Sequence, residues 1–132
     1  MDPRPRVILV ADDEPDLRRL VVRRLLRLGH EVLEADDGPA AWALVSERIP
    51  DIAVLDIRMP GYDGYEVIRR IRADERTRQI GVIVLTASAQ ESDEMLGREV
   101  GADRWMHKPF VPADLLAAVD ELCAARDEVA EP

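Results

Sequence analysis

Short apolar runs alternate with longer amphipathic stretches along the chain. "RVILVA" (6–11) is a β-branched run ended by acids, and it predicts a buried strand. From Pro15 to Gly29, the residues Leu17, Leu20, Val21, Leu25 and Leu28 recur at helical spacing. Pro15 suits the first turn of that helix and Gly29 its C-terminal cap. "EVLEA" (31–35) predicts a second strand, and "GPAAWALVSER" (38–48) a helix with Pro39 near its start. "DIAVLDI" (51–57) predicts a third strand with Asp56 at its end. Pro60 and Gly61 mark a loop before the helical "GYEVIRRIRAD" (64–74), where Val67, Ile68 and Ile71 share a face. "IGVIVLTA" (80–87) predicts a fourth strand, and "QESDEMLGREVG" (90–101) a weaker helix ending at a glycine. "RWMHK" (104–108) predicts a short fifth strand. "PADLLAAVDELCAAR" (112–126) predicts a last helix, with Leu115, Leu116, Val119, Leu122 and Cys123 on one stripe, and "DEVAEP" is a polar tail.

Strands and helices in strict alternation imply an α/β fold: a parallel sheet with helices on both faces, its topology narrowed by right-handed crossovers. At 132 residues the chain fits one domain. The loops leave no room for a second.

In a parallel sheet, ligands bind at the carboxyl edge of the strands. The first predicted strand delivers Asp12 and Asp13 to that edge, the third Asp56, the fourth Thr86 and the fifth Lys108. Carboxylates ~4 Å apart repel by ~4 kcal/mol at an effective dielectric of 20. Three of them need more compensation than one lysine, which implies a hard divalent ion, and oxygen donors suit Mg²⁺. A metal among acids, beside a lysine and a hydroxyl, makes a receptacle for a phosphoryl group, and an aspartate such as Asp56 can carry one as an acyl phosphate. Any one of these acids also fits a plain helix-capping role. The set, at the ends of strands one, three, four and five, is harder to explain that way.

Composition narrows the rest. A net charge of −9 argues against direct nucleic-acid binding. No run reaches the ~18 apolar residues of a membrane span, and the N-terminus lacks the long apolar core of a signal peptide. Cys123 is the single cysteine, so neither a disulfide framework nor a cysteine zinc site is expected. A cytoplasmic location is the default expectation. The 18 basic residues are 17 arginines and Lys108.

Four stretches, "ADDEP" (11–15), "VLDIRMPGYDGYE" (54–66), "VLTA" (84–87) and "GADRWMHKPF" (101–110), resemble the receiver domain of bacterial two-component response regulators. The likeness runs from about Val7 to Arg126. It implies a flavodoxin-like (βα)5 fold with a single five-stranded parallel sheet of order 2-1-3-4-5, a receiver over 1–126, and a polar tail or start of a linker over 127–132. By the resemblance Asp56 is the phosphoacceptor. Asp12, Asp13, Asp56 and the backbone carbonyl of Arg58 hold Mg²⁺, with Asp13 the more direct ligand of the acidic pair. Thr86, with Ala87 beside it, and Lys108 engage the phosphoryl group. The Lys108–Pro109 bond is a candidate cis peptide. A lysine suits such a site because its head is a compact point charge with three rotatable donors, whereas arginine's planar fork would crowd a metal and a phosphate.

The resemblance further implies a histidine kinase or phosphotransfer protein as donor. The output is a downstream protein or output domain, reached through the face of the fourth helix, fifth strand and fifth helix. The chain would be a monomer or a weak phosphorylation-dependent dimer, with no membrane and no direct nucleic-acid contact. It would not be an enzyme beyond its own phosphotransfer and slow dephosphorylation. Arg58 and Ser88 flank the path of the hydrolytic water and tune the phosphoryl lifetime, although Arg58 also fits a plain solvated arginine. Trp105 stands where the family carries a smaller aromatic that swings with Thr86. Its size leaves the reading open between a switch and a simply packed ring. His30 and His107 lack metal-ligand partners at suitable spacing and read as structural. Met59, Met95 and Met106 read as packing, and Trp42 as core.

Three other functions remain to be weighed. A phosphatase of the dehalogenase type wants an acid two residues past the nucleophile, where Arg58 stands. A flavin or nucleotide binder wants amides and hydroxyls where "ADDEP" offers carboxylates. A non-phosphorylated docking module, or the N-terminal part of a longer regulator with an output domain, is the remaining alternative.

Overall fold

The computed structural model describes residues 6–87, 96 and 98–130. Five strands, β1 (Val7–Ala11), β2 (Glu31–Ala35), β3 (Ile52–Asp56), β4 (Gly81–Thr86) and β5 (Arg104–His107), form one parallel sheet in the order β2-β1-β3-β4-β5. The helices are α1 (Pro15–Arg27), α2 (Gly38–Arg48), α3 (Gly64–Ala73) and a C-terminal helix (Pro112–Ala130). Residues 98–100 are helical and run into Gly101. The rest of the predicted fourth helix, 90–95 and 97, lies outside the described residues, as do Ser88 and Met95.

The strands read as unbroken apolar runs because both faces of the sheet are covered, as in other doubly wound sheets. Side chains alternate between two cores. Leu9, Ala11, Ala53, Leu55, Val82 and Val84 pack against α2 and α3. Ile8, Val10, Ile52, Val54, Ile83 and Leu85 pack against α1 and the C-terminal helix.

Several details depart from the sequence reading. The buried stripe of α1 is Val21, Val22 and Leu25, while Leu20 and Leu28 are exposed at 39% and 42%. At 100° per residue, the stripe centred on Val21 and Leu25 takes in Val22 and turns Leu20 away, while Leu28 lies past the last helical residue, at the C-cap. Leu28 caps α1, and Gly29 follows in the left-handed region at φ +89°, the position where glycine ends helices without strain. Trp42 is only partly buried, against the α2–α3 core. β5 stops at His107, one residue before Lys108. The last helix runs four residues past Arg126, into the stretch read as a tail. The Lys108–Pro109 bond is cis.

Candidate functional site

Strand register builds the site. Ala11 pairs with both Ala35 and Leu55, and Asp56 with Leu85, so the residues just past β1 and β3 emerge side by side. The Asp12 amide still donates to Ala35 O (3.1 Å), the Ile57 amide to Leu85 O (3.2 Å) and the Lys108 amide to Thr86 O (2.7 Å). These bonds hold Asp12, Asp56, Thr86 and Lys108 each within one residue of a rigid strand end. α3 presses on the same place: a Cβ on Gly64 would lie 2.5 Å from Asp56 O, so only glycine lets the helix sit on that peptide.

Asp12, Asp56 and Thr86 are buried, whereas Asp13 is exposed. Carboxylate oxygens of Asp12, Asp13 and Asp56 all lie within 4.8 Å of one another. Asp12 Oδ1 accepts the Glu14 amide at 2.9 Å, and Asp12 O accepts from Arg18 at 2.7 Å. Asp56 Oδ1 accepts the Arg58 amide at 3.4 Å, a long bond. Lys108 Nζ stands 2.8 Å from Glu14 Oε1, 3.1 Å from Asp12 Oδ2 and 3.3 Å from Asp56 Oδ2. The contact to Asp12 is an approach of charges without hydrogen-bond geometry, and Asp12 Oδ2 is buried with no hydrogen-bond partner.

The electrostatics follow from that crowding. Burial, then the charge of Asp12, pushes the Asp56 carboxyl up to about 6, against the pull of Lys108 and the Arg58 amide. Burial works against the Lys108 ammonium, but the hydrogen bond to Glu14 and the nearby charges of Asp12 and Asp56 outweigh it and hold its pKa above the ordinary value. A cavity of about 500 Å³ opens beside the acids, lined by Asp13, Arg58, Met59, Asp63 and Thr86. Hard oxygen donors, an orphaned buried oxygen on Asp12 and an exposed Asp13 fit a magnesium ion with retained waters.

The structure thus brings together Asp12, Asp13, Asp56, Thr86 and Lys108, residues spread over nearly a hundred positions. The Arg58 side chain is exposed and lines the cavity, and Ala87 is exposed next to Thr86. Trp105 is absent from that lining. It stacks with Tyr65, ring centroids 6.4 Å apart, and lines a separate groove with Arg98, Asp103 and Arg104. Glu14 was missed by the sequence reading, although a glutamate just before a helix-starting proline was a visible oddity. His30 is buried and its Nδ1 accepts the Arg6 amide at 3.1 Å, while His107 is exposed.

The model of the response regulator receiver domain matches residues 8–120. This chain belongs to the response regulator receiver family. The receiver is 41% identical over 112 residues to the phosphate regulon transcriptional regulatory protein PhoB of Pseudomonas aeruginosa, covering 85% of this chain and 49% of that protein. It is 38% identical over 125 residues to the DNA-binding dual master transcriptional regulator RpaA of Synechocystis, covering 95% and 52%. The chain therefore spans about half the length of these relatives.

Among solved structures, the receiver domain of the sensor histidine kinase PA1611 of Pseudomonas aeruginosa carries a magnesium ion in its active-site cleft. It matches with a TM-score of 0.83 and 30% identity, covering 91% of this chain and 98% of that one. A CheY-like receiver of Methanospirillum hungatei matches with a TM-score of 0.90 over 96% of this chain and 99% of that one, at 23% identity, which speaks to the fold alone. No described helix is long and apolar enough to cross a membrane.

Proposed function

We propose that Asp56 accepts a phosphoryl group from a histidine kinase or phosphotransfer protein in a magnesium-dependent reaction. The observation that carries this is the charge imbalance of the cleft: three convergent carboxylates, two of them buried, around one lysine. An Asp56 carboxylate oxygen forms the bond to phosphorus as the bond from phosphorus to the leaving group breaks, taking its electron pair with it. The carboxyl near pH 6 is mostly ionised at neutral pH and so available as nucleophile. Asp12, Asp13, Asp56 and the Arg58 carbonyl are the groups that would hold magnesium, which supplies charge neutralisation at the transferring oxygens. Lys108 pairs with one phosphoryl oxygen, and Thr86, at the end of β4, offers its hydroxyl to another.

The chain catalyses its own phosphorylation and slow dephosphorylation and no other reaction. Arg58 and Ser88 tune the lifetime of the phosphoryl group. The phosphoryl group shifts the population of two packings of the face that includes β5 and the C-terminal helix, and so changes partner affinity. Trp105 lies on that face. Output runs through a downstream domain or separate protein in the cytoplasm, and the names of the PhoB and RpaA relatives support a regulatory output. The receiver acts as a monomer or as a weak dimer formed on phosphorylation.

The test is intact-mass spectrometry after incubation with Mg²⁺ and acetyl phosphate or phosphoramidate. The parent should gain one phosphoryl group, with no gain in EDTA and none in Asp56→Asn. An equal gain in Asp56→Asn, or an unmodified parent with every donor, would overturn the reading.

A further inference from the structure

Glu14 holds the N-cap position of α1, with extended backbone at φ −88° and ψ 106°. Such positions favour short polar side chains that fold back onto the first turn. Asp37 and Asp63 do this at α2 and α3, accepting the amides of Ala40 (2.7 Å) and Glu66 (3.0 Å). Glu14 makes no cap bond. Its longer side chain instead crosses the cleft to Lys108, 94 residues away, and makes the shortest of that lysine's three carboxylate contacts. The Glu14 amide is tied to Asp12 Oδ1, which fixes where the side chain departs. Its side chain is 59% exposed, against 1% for Asp12 and 6% for Asp56, so it alone of the three can leave the lysine and be fully rehydrated.

We propose that Glu14 is a latch on Lys108, sharing the ammonium with Asp12 and Asp56 until a phosphoryl group on Asp56 competes for it. The inference rests on Asp56 as phosphoacceptor. A phosphoryl group brings about −1.5 to −2 of charge and strong acceptor oxygens close to the lysine. An exposed ion pair is weak, and a lysine head swings freely on its stem. Glu14 takes part in neither the forming nor the breaking bond. It is a positioning residue, and its contact opposes both the capture of Lys108 by the phosphoryl group and the approach of an anionic donor.

Phosphorylation by phosphoramidate with Mg²⁺ should run about two- to five-fold faster in Glu14→Gln than in the parent, the scale of one exposed ion pair. Asp16→Asn removes the same charge from the same turn, at a residue with no contact to Lys108, and should leave the rate unchanged. Because Lys108 is the single lysine of the chain, ¹⁵N-lysine labelling reads its ammonium directly, without reference to activity. Glu14→Gln should shift that resonance and Asp16→Asn should not. An unmoved resonance, or a parent-like rate in Glu14→Gln, overturns the latch. So does an equal acceleration in Asp16→Asn, which would show a general charge effect. A parent that no donor phosphorylates overturns the function itself along with the latch.

Discussion

The two edges of the sheet both gather charged residues, yet they are built on different rules. At the amino edge, two arginines face two aspartates. Arg6 pairs with Asp127 on the C-terminal helix, and Arg126 approaches Asp51 at 3.9 Å. Asp51 also accepts the Val7 amide at 2.9 Å, and His30 accepts the Arg6 amide. Charge there is balanced and ties the last helix to the start of the sheet. At the carboxyl edge, four acids gather, three of them in contact with one lysine, and a buried oxygen of Asp12 has no hydrogen bond. Balanced charge is what a fold needs for its own stability. Unbalanced charge, held in place by rigid strands, costs stability and is a mark of a site.

The difference can be broken most forcefully at Asp56. Its carboxyl titrates near 6 in the fold against an ordinary 3.8, so between those values the folded chain holds more protons than the unfolded one. Stability contributed by this group therefore falls as pH rises from about 4 to 6, and the full penalty persists above. Asp56→Asn should remove it, stabilising the metal-free protein at pH 7 by on the order of 2–3 kcal/mol. Urea denaturation in EDTA checks this, and a less stable Asp56→Asn would mean that the edge carries no surplus charge. Magnesium should stabilise the parent, by about 2.7 kcal/mol at a hundred times its Kd, and should do much less for Asp56→Asn.

His30 gives the opposite slope from the opposite edge. Burial, with Arg6 nearby, lowers its pKa from 6.5 against the pull of Asp120 and Asp51. The unfolded chain then binds the proton more readily, so stability is lost as pH falls below 6.5. His30→Leu should flatten that limb while leaving the Arg6 amide without its acceptor, a cost of about 1–3 kcal/mol. An acid limb as steep as the parent's would remove His30 from the account. Because the two slopes oppose each other where they overlap below pH 6, each variant also unmasks the other group.

The smallest effect is expected from Arg6→Ala, which removes its ion pair with Asp127 near the surface. A loss of about 0.5–1 kcal/mol in the unfolding free energy from urea denaturation is the expected scale. Magnesium affinity and phosphorylation rate should match the parent. A change in either would mean that the amino edge communicates with the cleft.

The strands, the α2 boundaries and the converging set Asp12, Asp13, Asp56, Thr86 and Lys108 were legible because parallel strands send their ends to one edge whatever lies between. The cis bond before Pro109 was legible only through the family's motif. Two errors came from reading one element at a time. Leu20 and Leu28 match the period of α1, but the sheet and the C-terminal helix select Val21, Val22 and Leu25. Glu14 looked like part of an acidic run, and its partner lies on β5's far side in sequence. Trp105 could not be placed from its size, since its packing depends on Tyr65 of α3.

Hydrophobic periodicity and the order of the polar strand ends determined by themselves the architecture, the sheet edge that matters and the residues gathered there. Those are consequences of local backbone geometry repeated five times. Tertiary structure alone decided how the charges are shared: which carboxylate Lys108 sits nearest, which oxygen of Asp12 goes without a hydrogen bond, and how far burial lifts Asp56. Such quantities depend on distances of a few ångströms and on the exclusion of water, and neither exists until the elements have packed.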